Sequence, residues 1–167
     1  MQIAKDGAAI AIRELRSGED ATAFRVLNEE WITRFFVLEE KDRETLGDPD
    51  GKILAKGGRI FLVEDLAGNS GQIVGCVALI PMEDGVYELS KMAVSPSRRG
   101  RGIGRQLLEH VIERARVMGA RSLYLGSSTK LPNAVHLYEA VGFRHIPPER
   151  LAPSPYARAD VFMELDL

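Results

Sequence analysis

Apolar and polar positions change period along the chain, and each change marks an element. Alternation at Ile10, Ile12 and Leu15 predicts a first strand over residues 8–16. Phe24, Leu27, Trp31 and Phe35 fall on one helical face, with Ser17 or Asp20 available as the cap. Residues 38–46 are strongly charged and predict a surface helix. Asp48-Pro49 reads as a cap followed by proline at the first helical position, and Gly57-Gly58 closes that short helix. Residues 59–65 and 72–80 are apolar runs rich in β-branched side chains, joined by turn-forming residues 67–71; residues 86–94 follow the turn 83–85. Consecutive strands on short turns predict an antiparallel meander.

The period then lengthens. Ile103, Leu107, Val111 and Met118, with Leu108, Ile112 and Ala115 beside them, predict a helix that Gly119 ends. Residues 122–126 form a fifth strand, and strand–helix–strand order calls for a parallel crossover. A shorter helix over 132–141 stops at Gly142, and residues 143–146 and 159–167 supply late strands. Pro147, Pro148, Pro153 and Pro155 keep the stretch between them out of any ladder. No repeat or linker divides the chain, so residues 1–167 read as one domain of mixed α/β (α+β) class.

Composition excludes more than it specifies. Apolar and charged fractions are those of an ordinary globular protein, and no apolar run is long enough to span a bilayer. The first residues include Lys5 and Asp6 and lack the apolar stretch of a signal peptide. Cys76 is the only cysteine, so no internal disulfide forms and a cytoplasmic protein is expected. His110, His136 and His145 lack metal-ligand spacing, so no metal is expected.

Charge is informative locally. The formal net charge is −2, yet Arg98, Arg99, Arg101 and Arg105 crowd around Gly100, Gly102 and Gly104 where a strand gives way to a helix. Glycines let a ligand approach the backbone closely, and the N–H groups opening a helix lack acceptors at the positive end of its dipole. Such a place suits a phosphate or pyrophosphate. A local cluster on a mildly acidic chain implies a discrete anion, whereas nucleic acid would need a broad basic face. A dinucleotide fold would need glycine where Arg105 stands, and an acid after the next strand, which ends in Ser127-Ser128-Thr129. The G-K-[S/T] of a P-loop is absent.

R-G-R-G-I-G at residues 99–104 resembles the Q/R-x-x-G-x-G/A motif of the GNAT superfamily of acyl-CoA-dependent N-acetyltransferases. The preceding Met92-Ala93-Val94-Ser95-Pro96 fits that family's pattern, and L-Y-E-A-V-G-F at residues 137–143 resembles its second signature. The order of elements agrees along essentially the whole chain. The resemblance implies a mostly antiparallel sheet flanked by helices and splayed between the fourth and fifth strands. It implies acetyl-CoA as co-substrate, its pyrophosphate on the N–H groups of Arg99, Gly100, Arg101, Gly102, Ile103, Gly104 and Arg105. Its pantetheine arm would pair with the strand edge at Met92, Ala93 and Val94 as an added strand. One N–H, of Met92 or Ala93, would stabilise the carbonyl oxygen.

Acetyl transfer to an amine needs a neutral nucleophile and a stabilised leaving thiolate. An amine of pKa about 10.4 is only about 0.04% neutral at pH 7, a cost of roughly 4–5 kcal/mol that a nearby carboxylate relieves. Glu88, at the start of the strand that ends at the cofactor, is the candidate base, or else an exposed strand-end acid; Glu83 and Asp84 rank below it. Tyr138 aligns with the tyrosine that family members use toward the thiolate sulfur; the alternative is a core aromatic sharing a face with Ala134 and Val141. Where many members carry a cofactor-contacting asparagine this chain has Leu131, and Asn133 either substitutes for it or caps the helix. Trp31, Phe35 and Phe36 line an acceptor pocket or pack in the core, and Arg34, Arg150, Tyr156 and Arg158 are placed to meet an acceptor.

The expected activity is therefore N-acetylation of a small amine or amino-acid-like acceptor, without nucleic acid or membrane, and with a homodimer allowed. The alternatives are acetylation of a protein N-terminus or lysine, and a non-catalytic acetyl-CoA sensor.

Overall fold

The computed structural model describes residues 9–67 and 71–167, together with the backbone of Gln2–Ile3. All its strands join one eight-stranded sheet in the order β1-β2-β3-β4-β5-β6-β8-β7. These are β1 (Gln2–Ile3), β2 (Ala9–Glu14), β3 (Arg59–Asp65), β4 (Gln72–Pro81), β5 (Val86–Val94), β6 (Ser122–Ser127), β7 (Arg144–His145) and β8 (Val161–Asp166). Helices α1 (Thr22–Phe35), α2 (Glu40–Gly47) and α3 (Pro49–Lys52) precede β3, while α4 (Ile103–Val117) and α5 (Pro132–Ala140) flank β6.

β2 to β5 form the expected antiparallel meander. The β4–β5 turn is tight because Asp84 and Gly85 both adopt positive φ, at 56° and 75°. One face of the sheet packs on α4 through Leu107, Leu108, Val111 and Ala115, all fully buried. The other face packs on α1 and the turn after α3 through Phe24, Ile32 and Ile53. β4 lies between both layers, so its apolar run is continuous instead of alternating.

α4 crosses over from β5 to β6, and the two strands pair in parallel as expected. That pairing is brief: it runs from Val86↔Ser122 to Glu88↔Tyr124, after which β6 pairs only with β8. The splay between the predicted fourth and fifth strands is thus the gap between β5 and β6. Just beyond the last pair, the β4–β5 register shifts and Lys91 takes φ of 56°. A bulge bends its strand and reverses which residues face which side. Leu89 before it and Met92 and Val94 after it all face the α4 layer, while Ala93 faces α1.

Two local expectations need correction. Neither Ser17 nor Asp20 is the N-cap of α1, which is Ala21; Ser17 bonds Asp50, and Asp20 accepts from the Thr22 N–H from one residue further out. The charged segment 38–46 does contain a helix, but not one confined to the surface. Asp42, Thr45 and Leu46 of α2 are buried, Asp42 completely, because cations from distant parts of the chain meet its carboxylate. Among the described residues no helix is long and apolar enough to cross a membrane.

Candidate active site

The gap between β5 and β6 opens into a cavity of about 1090 Å³ bounded by α1, the start of α4, α5 and the segment from Arg150 to Ala159. Glu88, Met92, Ala93, Val94, Arg99, Gly100, Gly102, Ile103, Gly104, Arg105, Asn133 and Tyr138 all line it. Arg101 does not; its charge acts on Asp65.

At one end lies the glycine loop. Gly100 and Gly102 hold φ of 77° and 81°, which side-chain-bearing residues rarely adopt, and Gly102 is the N-cap of α4. Gln106 is the first N–H to bond back, onto the Gly102 carbonyl, so those of Ile103, Gly104 and Arg105 have no helical acceptor. Gly104 lets α4 approach its neighbours: a Cβ there would stand 3.2 Å from Leu137 and 3.5 Å from Met92. The arginines are less available than their spacing suggests. Arg98 pairs with Asp65 at 2.7 Å, Arg99 with Glu30 at 2.9 Å and Arg105 with Glu109 at 2.8 Å. The main-chain donors are therefore less committed than the arginine side chains at this loop.

Along the cavity runs the unpaired side of β5. Ser95 donates to Val74 of β4, and the Ala93 N–H lies toward Cys76 of the same strand. Alternation along the strand turns the Met92 and Val94 N–H groups the other way, onto the open edge. Of the two N–H groups considered for the carbonyl oxygen, Met92 is the one that faces the cavity.

Two ionisable groups stand near this edge. Glu88 is largely withdrawn from water, and that burial raises its carboxyl above the usual range against the opposing pull of Lys91 and Lys41. No side chain among the described residues is hydrogen-bonded to it. Tyr138 is 9% exposed, its ring edge-on to Phe143 at 5.9 Å, and burial pushes its hydroxyl up to about 12. It both packs against the core and lines the cavity, so the two readings of this residue are compatible. Asn133 does not cap α5: the N-cap is Leu131, with no side-chain cap bond, and Asn133 sits in the first turn at the cavity wall.

The wall opposite the glycine loop holds a buried charge cluster that the pattern did not reveal. Lys91, 2% exposed, donates to Asp42 at 2.8 Å and to the Tyr156 hydroxyl at 3.0 Å. Arg158 grips the same carboxylate with two bonds of 2.7 Å and reaches Glu39 at 3.3 Å. Burial alone would raise Asp42, but the hydrogen bonds from Arg158 and Lys91 outweigh it and hold the carboxyl at about 2. Asp42 is therefore ionised at neutral pH, while burial lowers the Lys91 ammonium against the opposing pull of Asp42. One clue was present: Lys91 stands within an apolar strand between Leu89 and Ala93, where a charge, if buried, requires a partner. Trp31, Phe35, Phe36, Arg150, Tyr156 and Arg158 line this end, whereas Arg34 stacks on Phe35 outside the lining. Tyr124, Lys130 and Phe162, not singled out from sequence, line it too.

Residues 22–143 match the sequence model of the acetyltransferase (GNAT) family. The chain belongs to that family. A curated relative, the IAA acetyltransferase of Azospirillum brasilense, is 36% identical over 103 residues, 61% of this chain and 60% of its own length. The match thus spans less than two thirds of that relative. A GNAT acetyltransferase structure from Staphylococcus aureus superimposes with a TM-score of 0.82 at 24% identity, covering 95% of this chain and 99% of that one. A Vibrio cholerae spermidine N-acetyltransferase, solved with CoA and spermine, gives 0.69 at 23% identity over 94% and 95%. The fold and the two sequence signatures are therefore those of GNAT acetyltransferases. Among the described residues no cluster of His, Cys, Asp and Glu has the arrangement of a metal site.

Proposed function

We propose that this GNAT domain transfers an acetyl group from acetyl-CoA to the primary amine of a small acceptor by direct attack. The observation that carries the reading is the unpaired edge of β5 running from Glu88 toward the free N–H groups of Ile103, Gly104 and Arg105. An extended pantetheine arm fits that edge as an added strand, and a pyrophosphate fits the helix start. The donor-site residues are Met92 and Val94 on the edge, Arg99 to Arg105 at the loop through their main chain, and Asn133 on the α5 wall.

Bound acetyl-CoA supplies a thioester carbonyl, to whose carbon the amine nitrogen bonds as the carbon–sulfur bond breaks. Glu88 takes a proton from the acceptor ammonium, directly or through water, and burial suits it to that task by raising its proton affinity. The Met92 N–H stabilises negative charge on the carbonyl oxygen. Tyr138 donates a hydrogen bond to the leaving sulfur. An ordinary thiol titrates near about 8.5, so a hydroxyl at about 12 does not surrender its proton outright; its contribution is the hydrogen bond. The thiolate takes its proton from solvent or from the attacking nitrogen. Use of acetyl-CoA and the presence of a single cysteine, Cys76, also support a cytoplasmic location.

Acetyl-CoA at 100 times its Kd stabilises by about 2.7 kcal/mol, which at roughly 2–4 °C per kcal/mol raises Tm by about 5–11 °C. NAD is expected to leave Tm unchanged, and the opposite ranking would sink the reading. Release of CoA thiol on adding amines then separates an enzyme from a sensor. In the wild type kcat/KM falls on the acid side as Glu88 protonates, above the ordinary carboxylate range. Glu88→Gln is expected to remove that limb; a profile identical to wild type would reassign the base.

A further inference from the structure

The acceptor end of the cavity is lined by charged side chains, most of which already have partners. Lys91 and Arg158 are held by Asp42, and Arg158 also by Glu39. Arg150 is paired with Glu164 at 2.6 Å. Two lining charges remain without an ion pair among the described residues. One is Glu88, inside; the other is Lys130, exposed, its ammonium 5.4 Å from the Phe36 ring centroid. The remaining surface is apolar and aromatic. Tyr124 and Phe162 stack at 6.4 Å with their planes 18° apart, Phe36 meets Trp31 edge-on at 6.3 Å, and Met82 and Leu151 extend the surface.

We propose that the acceptor is a primary monoamine on an aromatic or similarly apolar body, carrying no second charge. This rests on the acetyltransferase reading above and specifies its substrate. One unpaired carboxylate accommodates one ammonium. A polyamine would bring a second ammonium into a cavity with no further unpaired acid, past the cation of Lys130. An acceptor carboxylate would find Arg158, Lys91 and Arg150 committed, and recruiting one would strip a carboxylate of its partner; the unpaired Lys130 is exposed and lies over Phe36, where solvent screens what it offers a carboxylate. An aromatic body gains from the stacked and edge-on rings. Tyr124 is opposite Glu88 in the β5–β6 register, so the ring surface begins beside the carboxylate that takes the amine.

The test is the rate of CoA thiol release at saturating acetyl-CoA with 2-phenylethylamine, ethylamine, phenylalanine and spermidine. The expected kcat/KM for 2-phenylethylamine exceeds that for ethylamine by on the order of 10²-fold, and exceeds those for phenylalanine and spermidine. Phe36→Leu and Phe162→Leu raise its KM with little change in kcat, and leave the KM for acetyl-CoA unchanged. Preference for spermidine overturns the proposal, as does a preference for phenylalanine that Lys130→Gln abolishes. Stabilisation by acetyl-CoA without release to any of these amines overturns it as well, leaving the donor site intact. Failure of acetyl-CoA itself to stabilise the protein would instead remove the acetyltransferase reading on which the proposal rests.

Discussion

Tyr138→Phe is expected to lower kcat on the order of 10²-fold while preserving the rise in Tm produced by acetyl-CoA. The substitution keeps the ring, which packs on Phe143 and the α4 layer, and removes only the hydroxyl. A hydrogen bond to a charged atom contributes about 1.5–3 kcal/mol, and the upper part of that range corresponds to a loss on the order of 10²-fold. Charge on the leaving sulfur develops in the transition state, so the loss falls on kcat more than on cofactor affinity. Steady-state kinetics and a melting curve with acetyl-CoA read both quantities. An unchanged kcat would remove Tyr138 from the chemistry; an equal loss in donor affinity would make it a binding residue.

Asp42→Asn has the largest expected effect on stability. The substitution keeps size and leaves Lys91, 2% exposed, and Arg158, 11% exposed, sharing a neutral amide. Breaking a buried pair from one side costs about 3–5 kcal/mol. At roughly 2–4 °C per kcal/mol, Tm falls by about 6–20 °C. The pH dependence has a definite sign. Asp42 titrates at about 2 in the fold, below its ordinary 3.8, so its contribution of about 2 kcal/mol is present above pH 3.8 and lost as pH falls toward 2. Melting curves between pH 2 and 5 should show this component in the wild type and not in Asp42→Asn. A variant melting within a degree of wild type would mean that the cluster is not sustaining the fold. Joint replacement of the three charges by apolar residues, Asp42→Leu with Lys91→Met and Arg158→Met, is expected to recover part of the loss, because removing them together also removes their desolvation cost.

The cluster also fastens the cavity wall. Tyr156 and Arg158 belong to the proline-rich stretch before β8, and their bonds to Lys91, Asp42 and Glu39 tie it to α2 and β5. The acceptor end of the cavity thus depends on residues that take no part in the chemistry.

Local pattern was enough for much of this. Residues 72–80 were a readable strand because β4 is buried on both faces, and the 103–118 helix because α4 buries one face. The glycine–arginine loop and the 137–143 signature pointed to the donor, since backbone conformation and helix starts are set by neighbours in sequence. The structure altered what the arginines do there. Their partners Glu30 and Asp65 come from α1 and β3, which no local spacing discloses.

The sequence by itself determined the order of elements, the parallel crossover and the family resemblance that names the donor, because these follow from period, turn residues and contiguous motifs. Only the tertiary structure decided which N–H of β5 faces the cavity, since the bulge at Lys91 shifts the phase of the strand. It alone brought Asp42 to Lys91 across 49 residues and Arg158 to the same carboxylate across 116. Charge pairing acts through space, and in a buried cluster the partner that makes a charge tolerable can come from anywhere in the chain.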